Sequence, residues 1–94
     1  MRGGLVFRTH AIKRMFRWRV SDEDVKIVLA SGEVIEDYPD DIPYPSHLVL
    51  GWTGIRPLHV VAAENSAALE TIVITVYEPD TTRWESDFKT RKKR

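Results

Sequence analysis

Cysteine is absent from this chain of 94 residues, and so are long apolar stretches. Without thiols the protein cannot form disulfides, use a cysteine nucleophile or hold zinc through sulfur, and a reducing compartment suits it. The apolar runs are a handful of residues long, whereas a membrane-spanning helix needs about 20. The N-terminus, Met1-Arg2-Gly3-Gly4, lacks the apolar region of a signal peptide. We therefore expect a cytoplasmic protein with one domain over residues 1–94.

Several motifs of well-known enzyme classes are also missing. The sequence has no glycine-rich phosphate loop, no GxSxG elbow and no HExxH helix. The Asp40-Asp41 pair stands without the further oxygen ligands that a hard cation needs. Nucleotide hydrolysis, serine hydrolysis and zinc proteolysis therefore lose support, and we expect neither a metal nor a cofactor.

Net charge is zero, but the charges are segregated along the chain. Residues 1–19 carry six basic side chains and no acidic one, residues 21–41 carry eight acidic side chains against one lysine, and residues 83–94 carry six basic against two acidic. If the two basic ends meet in space, the protein presents a positive surface that attracts polyanions. The alternative is that these are ordinary solvated faces.

Periodicity predicts two consecutive helices near the N-terminus. Thr9 is a candidate cap for a helix over about residues 10–18, in which Ile12, Met15 and Phe16 recur at helical spacing. Ser21 and Asp24 approximate a capping box for a second helix that ends near residue 31, with Gly32 in the left-handed position.

Further along the chain the apolar period changes to two, which predicts strands over residues 33–38, 47–52, 58–63 and 69–77. Thr81 or Thr82 is expected to begin a short helical turn that carries Trp84 and Phe88. The predicted fold class is therefore α+β, with two N-terminal helices packed on one face of a four-stranded antiparallel sheet and a short C-terminal helical turn.

Three histidines and three arginines are the candidates for catalysis and phosphate binding. His59 interrupts the apolar run of a predicted strand; if Leu58, Val60 and Ala62 face the helices, His59 lies on the uncovered face with Thr71, Thr75 and Tyr77. His10 stands at the start of the first helix, and a structural role remains open for both rings. We interpret His47 as structural. Arg14, Arg17 and Arg91 are candidate phosphate ligands, since guanidinium donates two parallel hydrogen bonds.

An ordered series of motifs resembles a known group of sequences. The series comprises Phe7-Arg8-Thr9-His10-Ala11, Arg14-Met15, Ser21, Asp24-Val25, Gly32-Glu33-Val34-Ile35-Glu36, Tyr38-Pro39, Pro57-Leu58-His59-Val60-Val61, Ile74-Thr75-Val76-Tyr77, Pro79 and Trp84. It resembles an uncharacterised bacterial and archaeal domain-of-unknown-function family that looks like a distant relative of the RelE and BrnT toxins. The resemblance covers roughly residues 5–91.

The resemblance implies a RelE-like fold and a place in a type II toxin–antitoxin pair, with a cognate antitoxin that is often a YgiT-type zinc-finger protein. It also implies cleavage of mRNA by attack of the 2′-hydroxyl, with His10, Arg14, His59 and Tyr77 carried over from the motifs and Arg91 as a looser analogue of the toxins' basic C-terminal residues.

Our leading hypothesis is a metal-independent endoribonuclease toxin. In-line phosphoryl transfer needs a base, an acid and a cation. We assign His59 and His10 to base and acid, Tyr77 to orientation or proton donation, and Arg14, Arg17 and Arg91 to the RNA phosphate. The alternative is a non-catalytic module that binds a partner protein, and the oligomeric state stays open.

Overall fold

The structure, a computed structural model, describes residues 4–93. In chain order its elements are β1 (Gly4–Phe7), α1 (Thr9–Trp18), α2 (Asp22–Ser31), β2 (Glu33–Tyr38), β3 (Ser46–Thr53), β4 (Arg56–Asn65) and β5 (Glu70–Tyr77). Within these residues, neither helix is long and apolar enough to cross a membrane.

The strands form one mixed sheet in the order β1-β5-β4-β3-β2. Strands β2 to β5 form an antiparallel meander, but β1 adds a fifth strand that pairs parallel to β5, from Gly4 opposite Glu70 to Phe7 opposite Val73. The prediction of four purely antiparallel strands is therefore wrong. Residues 4–7 are too short a segment for periodicity to reveal, and their partner strand lies at the far end of the domain.

Both helices pack on one face of this sheet. Helix α1 lies against β5, and α2 lies against β3 and β4. The core between these layers is formed by Ala11, Val20, Val25, Val28, Val49, Leu58, Val60, Ala62, Val73 and Val76. Burial of these aliphatic side chains fixes which face of each strand meets the helices and which is turned away from them.

The helix ends confirm one sequence prediction and correct two others. Ser21 and Asp24 form the predicted capping box, in which each side chain accepts the other's backbone N–H at 3.0 Å. Thr9 is the first helical residue rather than the cap, since the cap position of α1 is Arg8, which makes no side-chain capping bond. Gly32 has φ −80° and is not left-handed. A Cβ there would lie 2.6 Å from the Leu50 carbonyl oxygen, so glycine permits the close approach of α2 to β3.

Residues 79–93, which we call the C-terminal segment, contain no helix, so the predicted helical turn is wrong. The segment consists of turns closed by an isolated bridge between Trp84 and Arg91. Asp80 accepts the Thr82 amide at 2.8 Å, and Asp87 accepts the Lys89 and Thr90 amides at 2.9 and 3.1 Å. These aspartates take up local backbone donors and so stabilise turns in place of helix.

Candidate functional site

His59 lies on the face of the sheet opposite the helices. Its neighbours in β4, Leu58 and Val60, belong to the core, and alternation turns the imidazole to the other side. That side is covered here, because the C-terminal segment crosses it and places the Trp84 ring edge-on to the imidazole, with centroids 4.6 Å apart. His59 is 0% exposed. The expectation of an uncovered polar patch is therefore wrong for this residue.

Two hydrogen bonds assign the protonation of the His59 ring. Nε2 lies 2.8 Å from the Phe88 carbonyl oxygen, which can only accept, so Nε2 carries the proton. Nδ1 lies 3.1 Å from the Tyr77 hydroxyl and is left as the acceptor. Burial lowers the pKa of His59 below its ordinary value. The ring is thus a neutral imidazole with one basic nitrogen, which faces Tyr77.

Tyr77 connects this buried ring to the surface. It stands opposite His59 in the register of β4 and β5 and is half-buried. Burial raises the pKa of its phenol, so the hydroxyl keeps its proton at neutral pH. The hydroxyl donates to Nδ1 of His59, and its oxygen retains lone pairs for a donor that approaches from outside.

A cleft of about 720 Å³ opens above Tyr77, between α1 and the C-terminal segment. Helix α1 contributes Arg14 and Trp18 to its walls, and β5 contributes Thr75 beside Tyr77. Most of the remaining wall comes from the C-terminal segment, which includes Arg83, Trp84 and Arg91. The two basic ends of the chain therefore do converge on one concavity.

The three arginines of the cleft differ in how far they are already engaged. Arg91 donates to both carboxylate oxygens of Glu36, at 2.8 and 3.0 Å, and its guanidinium lies 4.6 Å from the Trp84 ring centroid. The bond from Arg91 lowers the pKa of Glu36. Arg14 and Arg83 form no ion pair with any residue in 4–93. They are the cleft cations without an ion-pair partner, although Glu78 and Asp80 also line the cleft. Arg91, in contrast, fastens the C-terminal segment to β2.

The remaining predicted residues lie at or beyond the rim. His10 places Nε2 3.1 Å from the Thr75 hydroxyl, so its ring stands at the edge of the cleft. Arg17 is exposed and is not among the lining residues. The structure thus brings together Tyr77, Arg14 and Arg91, with His59 behind them and His10 beside them.

Several residues of the site were not singled out from the sequence. Glu36 is one of the eight acidic residues in 21–41, and nothing local marks it as the partner of Arg91. Arg83 was only part of a basic end, and nothing local distinguishes it from the other basic residues there. Trp18 has an indole N–H that is buried and lacks a hydrogen-bond partner within the described residues, so the wall of the cleft holds an unused donor.

Comparison with known proteins gives one match. A family model described as a domain of unknown function (DUF4258) matches residues 7–78. No curated protein and no solved structure matches the chain.

Proposed function

Because the chain belongs to the DUF4258 family, whose function is unknown, its activity has to be inferred from the cleft, and we propose that it is a metal-independent endoribonuclease. The observation that carries this proposal is Tyr77, which lines the cleft together with Arg14 and Arg83 and is hydrogen-bonded to the buried His59 behind it. The pair offers a base, and the arginines offer fixed positive charge for a phosphodiester.

The base in this proposal acts through a relay. The 2′-hydroxyl of RNA donates its hydrogen bond to the Tyr77 oxygen, whose own proton already points at Nδ1 of His59. As the hydroxyl attacks the adjacent phosphorus, its proton passes to Tyr77 and the phenolic proton passes to Nδ1, which becomes part of an imidazolium. Glu36 favours the cationic ring electrostatically while Arg91 opposes it, and Nε2 keeps its bond to the Phe88 carbonyl, which also favours the cation. His59 is therefore a positioning residue and proton acceptor that never touches the substrate.

Leaving-group protonation is assigned to His10. Attack by the 2′-hydroxyl breaks the bond between phosphorus and the 5′-oxygen, and this oxygen leaves with a proton that His10 donates from the rim. The products are a 2′,3′-cyclic phosphate and a 5′-hydroxyl end. Arg14, Arg83 and, after exchange of its partner, Arg91 compensate the charge that develops on the phosphoryl oxygens.

The finer parts of the proposal concern the cellular role. A relationship to the RelE and BrnT toxins, a cognate antitoxin of the YgiT type and a cytoplasmic location are supported by the ordered motifs that carry the resemblance. In this setting the expected phenotype is growth arrest on expression of the protein alone, with relief when the product of the neighbouring gene is expressed with it.

The test is cleavage of a defined single-stranded RNA in EDTA by purified protein. We expect Tyr77→Phe, which removes only the hydroxyl, and His59→Asn, which removes the base, each to slow cleavage by about 100-fold or more. Arg14→Ala should weaken cleavage as well, whereas Arg8→Ala, an exposed arginine just before α1 and outside the cleft, serves as its matched control. His47→Asn is the control for loss of a histidine.

Two further measurements separate this mechanism from contamination and from other chemistry. RNA with a 2′-O-methyl group at the cleavage site should be intact, and the 5′ products should end in a cyclic phosphate. Intact RNA with the wild-type protein, or cleavage that Tyr77→Phe leaves unchanged, contradicts the proposed relay.

A further inference from the structure

The outer side of α1 carries an apolar groove that is separate from the cleft. Two side chains one helical turn apart dominate it: Phe16 is 81% exposed and Ile12 is 44% exposed. They border a groove of about 410 Å³ whose other lining residues are Met15, Arg19, Val20 and Ser21. A phenylalanine side chain is seldom this exposed to solvent. A contiguous exposed apolar patch rimmed by polar groups is typical of a binding surface.

The rim of this groove is positively charged. Helical geometry places Lys13 and Arg17 along one side of the Ile12–Phe16 stripe, and Arg19 lines the other side. Within residues 4–93, none of these three cations forms an ion pair. Residues 4–20 contain no acidic side chain at all. The surface therefore combines exposed apolar side chains with cations that lack counter-charges.

We propose that this face of α1 is the docking site for an acidic amphipathic helix of another protein. Apolar residues of that helix enter the groove against Phe16 and Ile12, while its carboxylates pair with the three cations. Helix α1 has ten residues and is about 15 Å long, so it matches roughly three turns of a partner helix. The site does not depend on the proposed ribonuclease activity, because neither Phe16 nor Ile12 lines the cleft.

Charge decides between this occupant and the other classes of macromolecule. A second copy placed across a two-fold axis would bring Lys13, Arg17 and Arg19 of one chain against the same cations of the other, which is repulsive. A nucleic acid would pair its phosphates with the cations and stack a base on Phe16, but it has no aliphatic groups to cover Ile12 and Met15 in the groove. An acidic helix with an apolar stripe satisfies both features.

The probe is a synthetic peptide of about 15 residues with leucines spaced three and four apart and glutamates elsewhere. Its affinity for the full chain is measured by fluorescence anisotropy at low and at high salt, beside one peptide with the glutamates replaced by lysine and one with the leucines replaced by serine. We expect binding of the first peptide only, and weaker binding at high salt. Phe16→Ala should weaken it about tenfold or more, and Lys13→Glu with Arg17→Glu should do the same.

Matched controls isolate the groove from general surface effects. Ile55→Ala removes an aliphatic side chain that is 96% exposed on another part of the surface, and Lys26→Glu reverses an exposed lysine on α2; both should bind like the wild type. If the serine peptide binds as tightly as the leucine–glutamate peptide, the binding is non-specific charge attraction and the proposal is overturned. Failure of the leucine–glutamate peptide to bind overturns it too.

The oligomeric state and nucleic-acid binding test the competing occupants directly. If light scattering finds a dimer and the Phe16→Ala substitution dissociates it, the groove binds a second copy of this chain. If an RNA oligonucleotide binds the wild type and not Phe16→Ala, the groove binds nucleic acid. Either result overturns the proposal, and neither bears on cleavage at the cleft, so this inference and the proposed function can fail independently.

Discussion

Replacing His59 by glutamine should remove a pH dependence from the stability of the fold. Burial holds the pKa of His59 below its ordinary value of 6.5, so the unfolded chain binds a proton at this residue more readily than the folded chain. The stability that His59 contributes is complete above pH 6.5 and is lost as the pH falls from 6.5 towards the lower folded pKa. Each pH unit in that window is worth about 1.4 kcal/mol for one group.

The free energy of unfolding of the wild type should therefore fall between pH 7 and pH 5 by up to about 2 kcal/mol more than that of His59→Gln. The assay is urea denaturation at pH 7, 6 and 5, followed by tryptophan fluorescence and circular dichroism. Glu36, Asp80 and Asp87 have lowered pKa values, so their titration lies at lower pH and is largely common to both proteins. Parallel pH profiles for the two proteins would refute the assignment of a buried neutral imidazole.

Two further predictions concern packing and the Glu36 network. Gly51→Ala would place a Cβ 2.9 Å from the Cα of Val28, so it should push α2 away from β3 and lower the free energy of unfolding by about 1–3 kcal/mol. Gly4→Ala meets no atom within 4 Å and is the control; equal urea midpoints for the two variants would contradict this packing. Burial and the hydrogen bond to Glu36 raise the pKa of Tyr38 to about 12. Glu36→Gln should lower that pKa while burial keeps it above 10, which a phenolate absorbance titration measures, and an unchanged titration would refute the contribution of this carboxylate.

The C-terminal segment links the fold to the candidate site. It buries His59, supplies Arg83 and Trp84 to the cleft, and is fastened by Arg91 to Glu36 and by Lys89 to Glu33. Both ion pairs are largely exposed to solvent, so each contributes little to stability. Burial of Trp84, which is 3% exposed, contributes more to holding the segment on the sheet.

Sequence patterns were sufficient for much of the fold and part of the site. The capping box of α2 and the presence of strands β2 to β5 follow from residues three positions apart and from periodicity, and alternation along β4 gives the side of the sheet that His59 occupies. The sequence left open whether the two basic ends of the chain meet, and in the structure Arg14 from one end and Arg83 and Arg91 from the other line the same cleft. The C-terminal helical turn was predicted wrongly, because the spacing of Trp84 and Phe88 resembles a helix stripe while Asp80 and Asp87 bind the local amides.

By itself, then, the sequence determined the local elements, because capping and the periods of 3.6 and 2 depend on residues close together in the chain. Only the tertiary structure decided that β1 joins β5, that the C-terminal segment covers the outer face of the sheet, and which nitrogen of His59 is basic. Each of these rests on distant contacts: Arg91 lies 55 residues from Glu36, and the Phe88 carbonyl that fixes the tautomer lies 29 residues from His59. No local pattern records such pairings, since they are selected by burial and hydrogen bonding in the assembled fold.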